Sequence, residues 1–164
     1  MTMTSENTRQ LIGNWIFKNL LKFNQRVDDE SLESFTKALL IAAKGDQELS
    51  QAERDWVIGL TAAKGASEEL IEKLKTYEAD EDLDQVVSSN STTNQGRRSL
   101  IYQAIQACDS DGEYSPGEKA SIRGIAAKLE ISEDVVQKLE MVYQEEKELL
   151  DKKIKLLFPE GTPL

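Results

Sequence analysis

Shifted by 65 residues, the chain matches itself without a gap. Ala42 to Glu53 lies over Ala107 to Glu118, so that Asp46, Glu48, Ser50 and Glu53 fall on Asp111, Glu113, Ser115 and Glu118. Downstream, Gly59 falls on Gly124, Ala62 on Ala127, Ser67-Glu68 on Ser132-Glu133, and Lys73-Leu74 on Lys138-Leu139. A duplicated unit of this size cannot bury both faces of its own helices, so two units packed on one another are the expected solution. The shared pattern, Asp-x-Glu-x-Ser-x-x-Glu, predicts an acidic loop followed by a capped helix in each unit. It also predicts like backbone shapes for the two loops.

Helical periodicity runs through the rest. Leu11, Ile12, Trp15, Ile16, Leu20 and Phe23 recur at three- and four-residue spacings over about 7–24, and Trp15 and Trp56 are expected in the core. Asp28-Asp29-Glu30 opens a second helix to about Lys44, and Ser50, Ser67, Ser115 and Ser132 stand as N-caps of later ones. A short acidic helix is expected near 80–88, another from Arg97, and Pro159 stops the last. No period-two run predicts a strand. The expectation is an all-α chain of about seven helices: an amphipathic helix within 1–28 packed on the domain, a helical domain over 29–158, and a short tail at 159–164. The repeat units span about 29–78 and 97–145. Between them, the polar segment 88–96 reads as a flexible loop, and its Asn90-Ser91-Thr92 sequon as a chance match.

Composition then narrows the chemistry. The chain of 164 residues has no His and one Cys, and its formal charge is −10. Ser-His-Asp and Cys-His catalysis and zinc sites of the His/Cys type are excluded. A lone Cys108 forms no intrachain disulfide and fits a reducing, cytoplasmic setting. The acidic balance opposes nucleic-acid binding and favours a protein partner that reads an acidic surface. The N-terminal stretch lacks a secretory layout. Residues 1–27 hold Arg9, Lys18, Lys22 and Arg26 against Glu6. Docking of this basic helix on its own acidic body outranks contact with a membrane surface.

An acidic loop with no His or Cys suits a hard cation such as Ca²⁺, which takes oxygen ligands. The candidate ligands are Asp109, Asp111, Glu113 and Glu118 in the second loop, and Asp46, Glu48 and Glu53 in the first. With Gly112 at an EF-hand's sixth position the first ligand position is Ala107, so the loop is not an EF-hand. The second loop is the better candidate. Gly112 admits a positive φ where the first loop has Gln47, and Asp109 stands where the first has Lys44. Against the cation stands a purely structural account. Ser50/Glu53 and Ser115/Glu118 are capping boxes, in which each capping residue is worth ~1 kcal/mol with no ligand at all. That account covers Asp46, Glu48, Asp109 and Asp111 less well, because they follow a helix C-terminus, where the dipole disfavours them.

The segment Asp111-Gly112-Glu113-Tyr114-Ser115-Pro116-Gly117-Glu118, its first-unit counterpart, Glu81-Asp82-Leu83 and Arg97-Arg98 together resemble the TerB-like (tellurite resistance protein B-like) family over roughly 29–143. The resemblance implies an all-helical fold without catalytic apparatus, associated with stress-response and metal-resistance systems. The resulting expectation is a non-enzymatic binding module with a divalent-cation site at the duplicated loops. The alternative is a protein-interaction scaffold whose loops only cap helices. An enzyme is disfavoured, since no nucleophile, phosphate-binding Gly loop or donor cluster accompanies the carboxylates.

Overall fold

The computed structural model describes residues 5–45 and 47–164. Nine α-helices and no strand are found among them: α1 (Glu6–Leu21), α2 (Asp29–Lys44), α3 (Gln51–Ala63), α4 (Glu68–Lys75), α5 (Leu83–Ser88), α6 (Ser91–Gln95), α7 (Arg97–Cys108), α8 (Pro116–Lys128) and α9 (Glu133–Leu157). The class is all-α as expected, with more helices than the seven anticipated. Most starts are set locally. Asp28, Ser50, Ser67, Ser115 and Ser132 each hold extended backbone and accept the N–H three residues on.

The centre of the molecule is the pair α2 and α7, the same helix in the two repeats. They pack against each other, with α3, α4 and α5 on α2 and α8 and α9 on α7. Leu32, Leu39, Leu40, Leu100, Ile101 and Ile105 are almost wholly buried there. Burying one such side chain contributes ~1.5–3 kcal/mol. Repeat-equivalent residues meet across this interface: the Cys108 thiol lies 3.9 Å from the carbonyl oxygen of its counterpart Ala43.

Two expectations fail. The segment 88–96 is not an open loop, because it folds into α6. Asn90 caps that helix through Oδ1 and reaches Ser31 Oγ through Nδ2, and Thr93 is fully buried. The run is polar yet ordered because its side chains satisfy backbone groups of α6 and α2. Trp15, expected in the core, is 61% exposed, and Leu11 and Leu20 on the same helix are also exposed. The side of α1 that docks is instead Gly13 and Phe17, with the Arg9 guanidinium donating to the Gly65 carbonyl. A Cβ on Gly13 would lie 2.6 Å from the Lys64 carbonyl, and one on Gly65 would lie 2.5 Å from the Arg9 carbonyl. Two glycines therefore let α1 cross the turn after α3 at backbone contact, which draws Phe17 inward and turns Trp15 out. Trp56 is half-buried at the edge of the core.

Candidate functional site

The two acidic loops meet. The first loop leads from α2 to α3 and the second from α7 to α8, so the central helix pair delivers both to one end of the molecule. A Cβ on Gly45 would strike Ser121 Oγ of α8, and one on Gly117 would lie 3.0 Å from Gln47 Nε2. The first loop thus packs on α8, the helix that follows the second, and residues 109–111 of the second pack on α3, the helix that follows the first.

The loops agree in their second halves and differ in their first. Ser50 and Ser115 have the same backbone (φ −68°, ψ 158° and φ −67°, ψ 158°), and both complete a capping box. The Ser50 amide donates to Glu53 Oε2 and the Ser115 amide to Glu118 Oε2, each at 2.7 Å. Upstream, α2 ends on Gly45 at φ 55°, whereas α7 runs on through a 3₁₀ turn, Asp109–Asp111, and then reverses at Gly112 with φ 91°. Gly112 thus has the positive φ foreseen for it. The first loop places its positive-φ glycine two repeat positions earlier, so the expectation of like shapes holds only from the caps onward.

The seven candidate ligands are dispersed unequally. Glu48, Glu53 and Glu118 line one small cavity of about 10 Å³ together with Ala42, Ala43, Lys44, Gln47, Cys108, Ser121 and Ile122. That is about the space of one water molecule. Glu53 is only 5% exposed, and among the described residues no cation pairs with it. Among those residues too, neither Glu53 nor Glu118 uses its Oε1 in a hydrogen bond. Asp111 takes the Glu113 amide on its carboxylate, in an Asx turn, and Glu113 is exposed. Asp109 is committed elsewhere. Its Oδ2 accepts the Tyr143 hydroxyl at 2.7 Å and the Lys147 ammonium at 2.6 Å, and its side chain is 8% exposed. Asp46 lies outside the described residues. Among the described residues, no three carboxylates or thiols form a ready-made ligand set.

Electrostatically the junction is negative. The Glu118 carboxyl is held above the usual carboxylate range by burial, partly offset by the Ser115 amide, with Asp111 and Glu53 adding their negative charges. The Cys108 thiol beneath the loops is pushed up to about 12 by burial, and then by Glu53, Glu118, Asp111 and Asp109. It is a thiol and not a nucleophilic thiolate at neutral pH. Lys44, expected to oppose an ion, spends its ammonium on the Glu78 carbonyl at 3.1 Å. Sequence reasoning missed Tyr143 and Lys147 as partners of Asp109. Nothing local marks them, since they lie on α9, 34 and 38 residues away.

A family model described as tellurite resistance protein TerB matches residues 33–141. The crystal structure of a tellurite resistance protein from Nostoc punctiforme PCC 73102 is similar at 36% identity and a TM-score of 0.92, covering 98% of this chain and 100% of that one. No functionally curated protein matches the sequence.

Proposed function

Since the chain belongs to the TerB family of tellurite resistance proteins, we propose that it is a non-enzymatic acidic binding module that takes up a divalent hard cation where its two repeats meet, in the service of a stress or metal-resistance response. The observation that carries this reading is the buried Glu53, which no cation pairs with among the described residues, beside its repeat counterpart Glu118 at a water-sized cavity. Two carboxylates gathered in one low-dielectric place repel each other, and a cation between them relieves that repulsion. The donors are all oxygen, which suits Ca²⁺, Mg²⁺ or Mn²⁺. Glu53 and Glu118 would offer their Oε1 atoms while Oε2 keeps the helix caps, and Glu48 and Asp111 would swing in from their exposed positions to complete the set. Asp109 and Glu113 play no direct part in this reading. With few preformed ligands, affinity should fall in the weak range of open oxygen-ligand sites, roughly micromolar to millimolar.

No catalytic role accompanies the site: its one thiol is held protonated and the chain has no His. The reading locates the protein in the cytoplasm, where an unpaired Cys108 stays reduced. Its acidic surface would serve a protein partner.

The test is thermal unfolding of metal-stripped protein with Ca²⁺, Mg²⁺ or Mn²⁺ added to millimolar levels. A ligand at 100 times its Kd stabilises by ~2.7 kcal/mol, so the wild-type Tm should rise with at least one of the ions. The Glu53→Gln/Glu118→Gln pair, which keeps both caps, should abolish the rise. A wild-type Tm indifferent to all three ions would overturn the cation reading and leave the loops as helix caps in an interaction scaffold.

A further inference from the structure

Far from the acidic loops, Lys64 closes α3 and is 5% exposed. Its ammonium donates to Gln103 Oε1 at 3.1 Å and sits 4.7 Å from the centre of the Phe35 ring and 6.0 Å from that of Phe17. Among the described residues no carboxylate comes within ion-pair distance of it. A buried ammonium normally has a counter-charge, because ring faces return only part of what desolvation costs. Burial alone pulls this amine down to about 8. It is therefore still mostly charged at neutral pH, and among the described residues still without an anion.

Lys64 also stands between two hollows. One, of about 60 Å³, is walled by Phe17, Phe23, Val27 and Phe35. The other, of about 260 Å³, runs under the C-terminal half of α1 and is walled by Ile16, Leu20, Trp56, Leu60 and Tyr102. Leu21, Lys64, Ser99 and Gln103 border both. An apolar hollow with one buried charge and one amide at its head is the usual make-up of a site for an amphipathic small molecule. The larger hollow also contains Glu146, whose carboxylate takes the Tyr102 hydroxyl. The two charges set a polarity in which an anionic head lies at Lys64 and away from Glu146.

We propose that the hollow between α1, α3 and α7 binds a linear aliphatic monocarboxylate, with its carboxylate on Lys64 and Gln103 and its hydrocarbon chain in the groove beneath α1. The carboxylate supplies the counter-charge that Lys64 lacks, and the chain covers the apolar walls that α1 leaves open. This site is independent of the cation reading.

Decanoate is the probe, titrated calorimetrically into the full-length protein, with decanol as the uncharged control. Wild type should bind decanoate at least tenfold more tightly than decanol. Lys64→Met, which replaces a buried charge with an apolar chain of similar length, should lose at least tenfold in decanoate affinity and leave decanol unchanged. Leu60→Trp should block the groove and weaken both ligands, with helicity by circular dichroism confirming the fold of each variant. No decanoate binding by wild type, equal binding of decanoate and decanol, or undiminished binding by Lys64→Met would each overturn the proposal.

Discussion

A single carboxylate can stabilise this fold or strain it, according to what it faces. Asp28 caps α2, and its carboxyl is held below the usual carboxylate range by the Ser31 amide, with burial opposing. A lowered folded pKa stabilises above the unfolded value and loses that contribution as pH falls through the folded one. Asp28→Ala should therefore cost ~1 kcal/mol at pH 7, and the cost should shrink as pH falls below about 4. Denaturant unfolding at both pH values checks it. Glu118 has the opposite sign. Its folded pKa is raised, so its contribution is present at low pH and lost as pH rises through the folded value. Glu118→Gln keeps an acceptor for the Ser115 amide and removes the charge. The variant should melt ~1–3 °C above wild type at pH 7 in the absence of divalent ions, and level with it below pH ~4. A lower Tm at pH 7 would mean that the ionised carboxylate is stabilising.

Helices here are assigned their environments by what they cross. On α1 the docked side carries Gly13 and Phe17, so the large apolar side chains on its other side contribute little to the fold. Trp15→Ser, at a position 61% exposed, should change stability by no more than ~0.5 kcal/mol, whereas Phe17→Ala, at 3% exposure, should cost ~3–5 kcal/mol. Comparable losses for the two would contradict the placement of α1. On α6 the question is order. Thr93 is buried and Asn90 bonds both ways, so limited proteolysis of the native protein should spare 88–96. Asn90→Ala, which loses the cap and the Ser31 contact, should cost ~1 kcal/mol and make this segment the first to be cut.

At the scale of the whole molecule, stability is concentrated where α2 and α7 meet and falls off along α9. Beyond Tyr143, α9 carries Leu149, Leu150, Leu156 and Leu157, all exposed. A chain ending after Glu148 keeps the Lys147–Asp109 pair and should unfold cooperatively within ~3 °C of the full chain. Leu100→Ala, by contrast, opens a cavity against the other repeat and should cost ~2–5 kcal/mol. Thermal scans of the two variants side by side would reveal a core lying elsewhere if the truncation proved the more damaging.

The amino-acid sequence by itself determined the class of fold, the duplicated unit, the starts of α2, α3, α4, α8 and α9, and the left-handed turn at Gly112. These rest on interactions spanning about three residues, such as a Ser hydroxyl with the third amide on, or on the torsional freedom of one glycine, and short-range chemistry is written in adjacent letters. Tertiary structure decided the rest. Periodicity marked an apolar stripe on α1, but whether that stripe met a partner depended on Gly13 and Gly65 letting the helix cross another way. Polarity marked 88–96 as loose, but Ser31, far off in sequence, helps hold it in place. Acidity marked seven carboxylates as candidate ligands, those of the second loop ahead of those of the first. Packing gave Asp109 to Tyr143 and Lys147, left Glu113 in solvent, and brought Glu53 to Glu118 across the repeat junction. The pairing of a charge with its neighbour depends on distance in space, and over tens of residues only the packed helices set that distance.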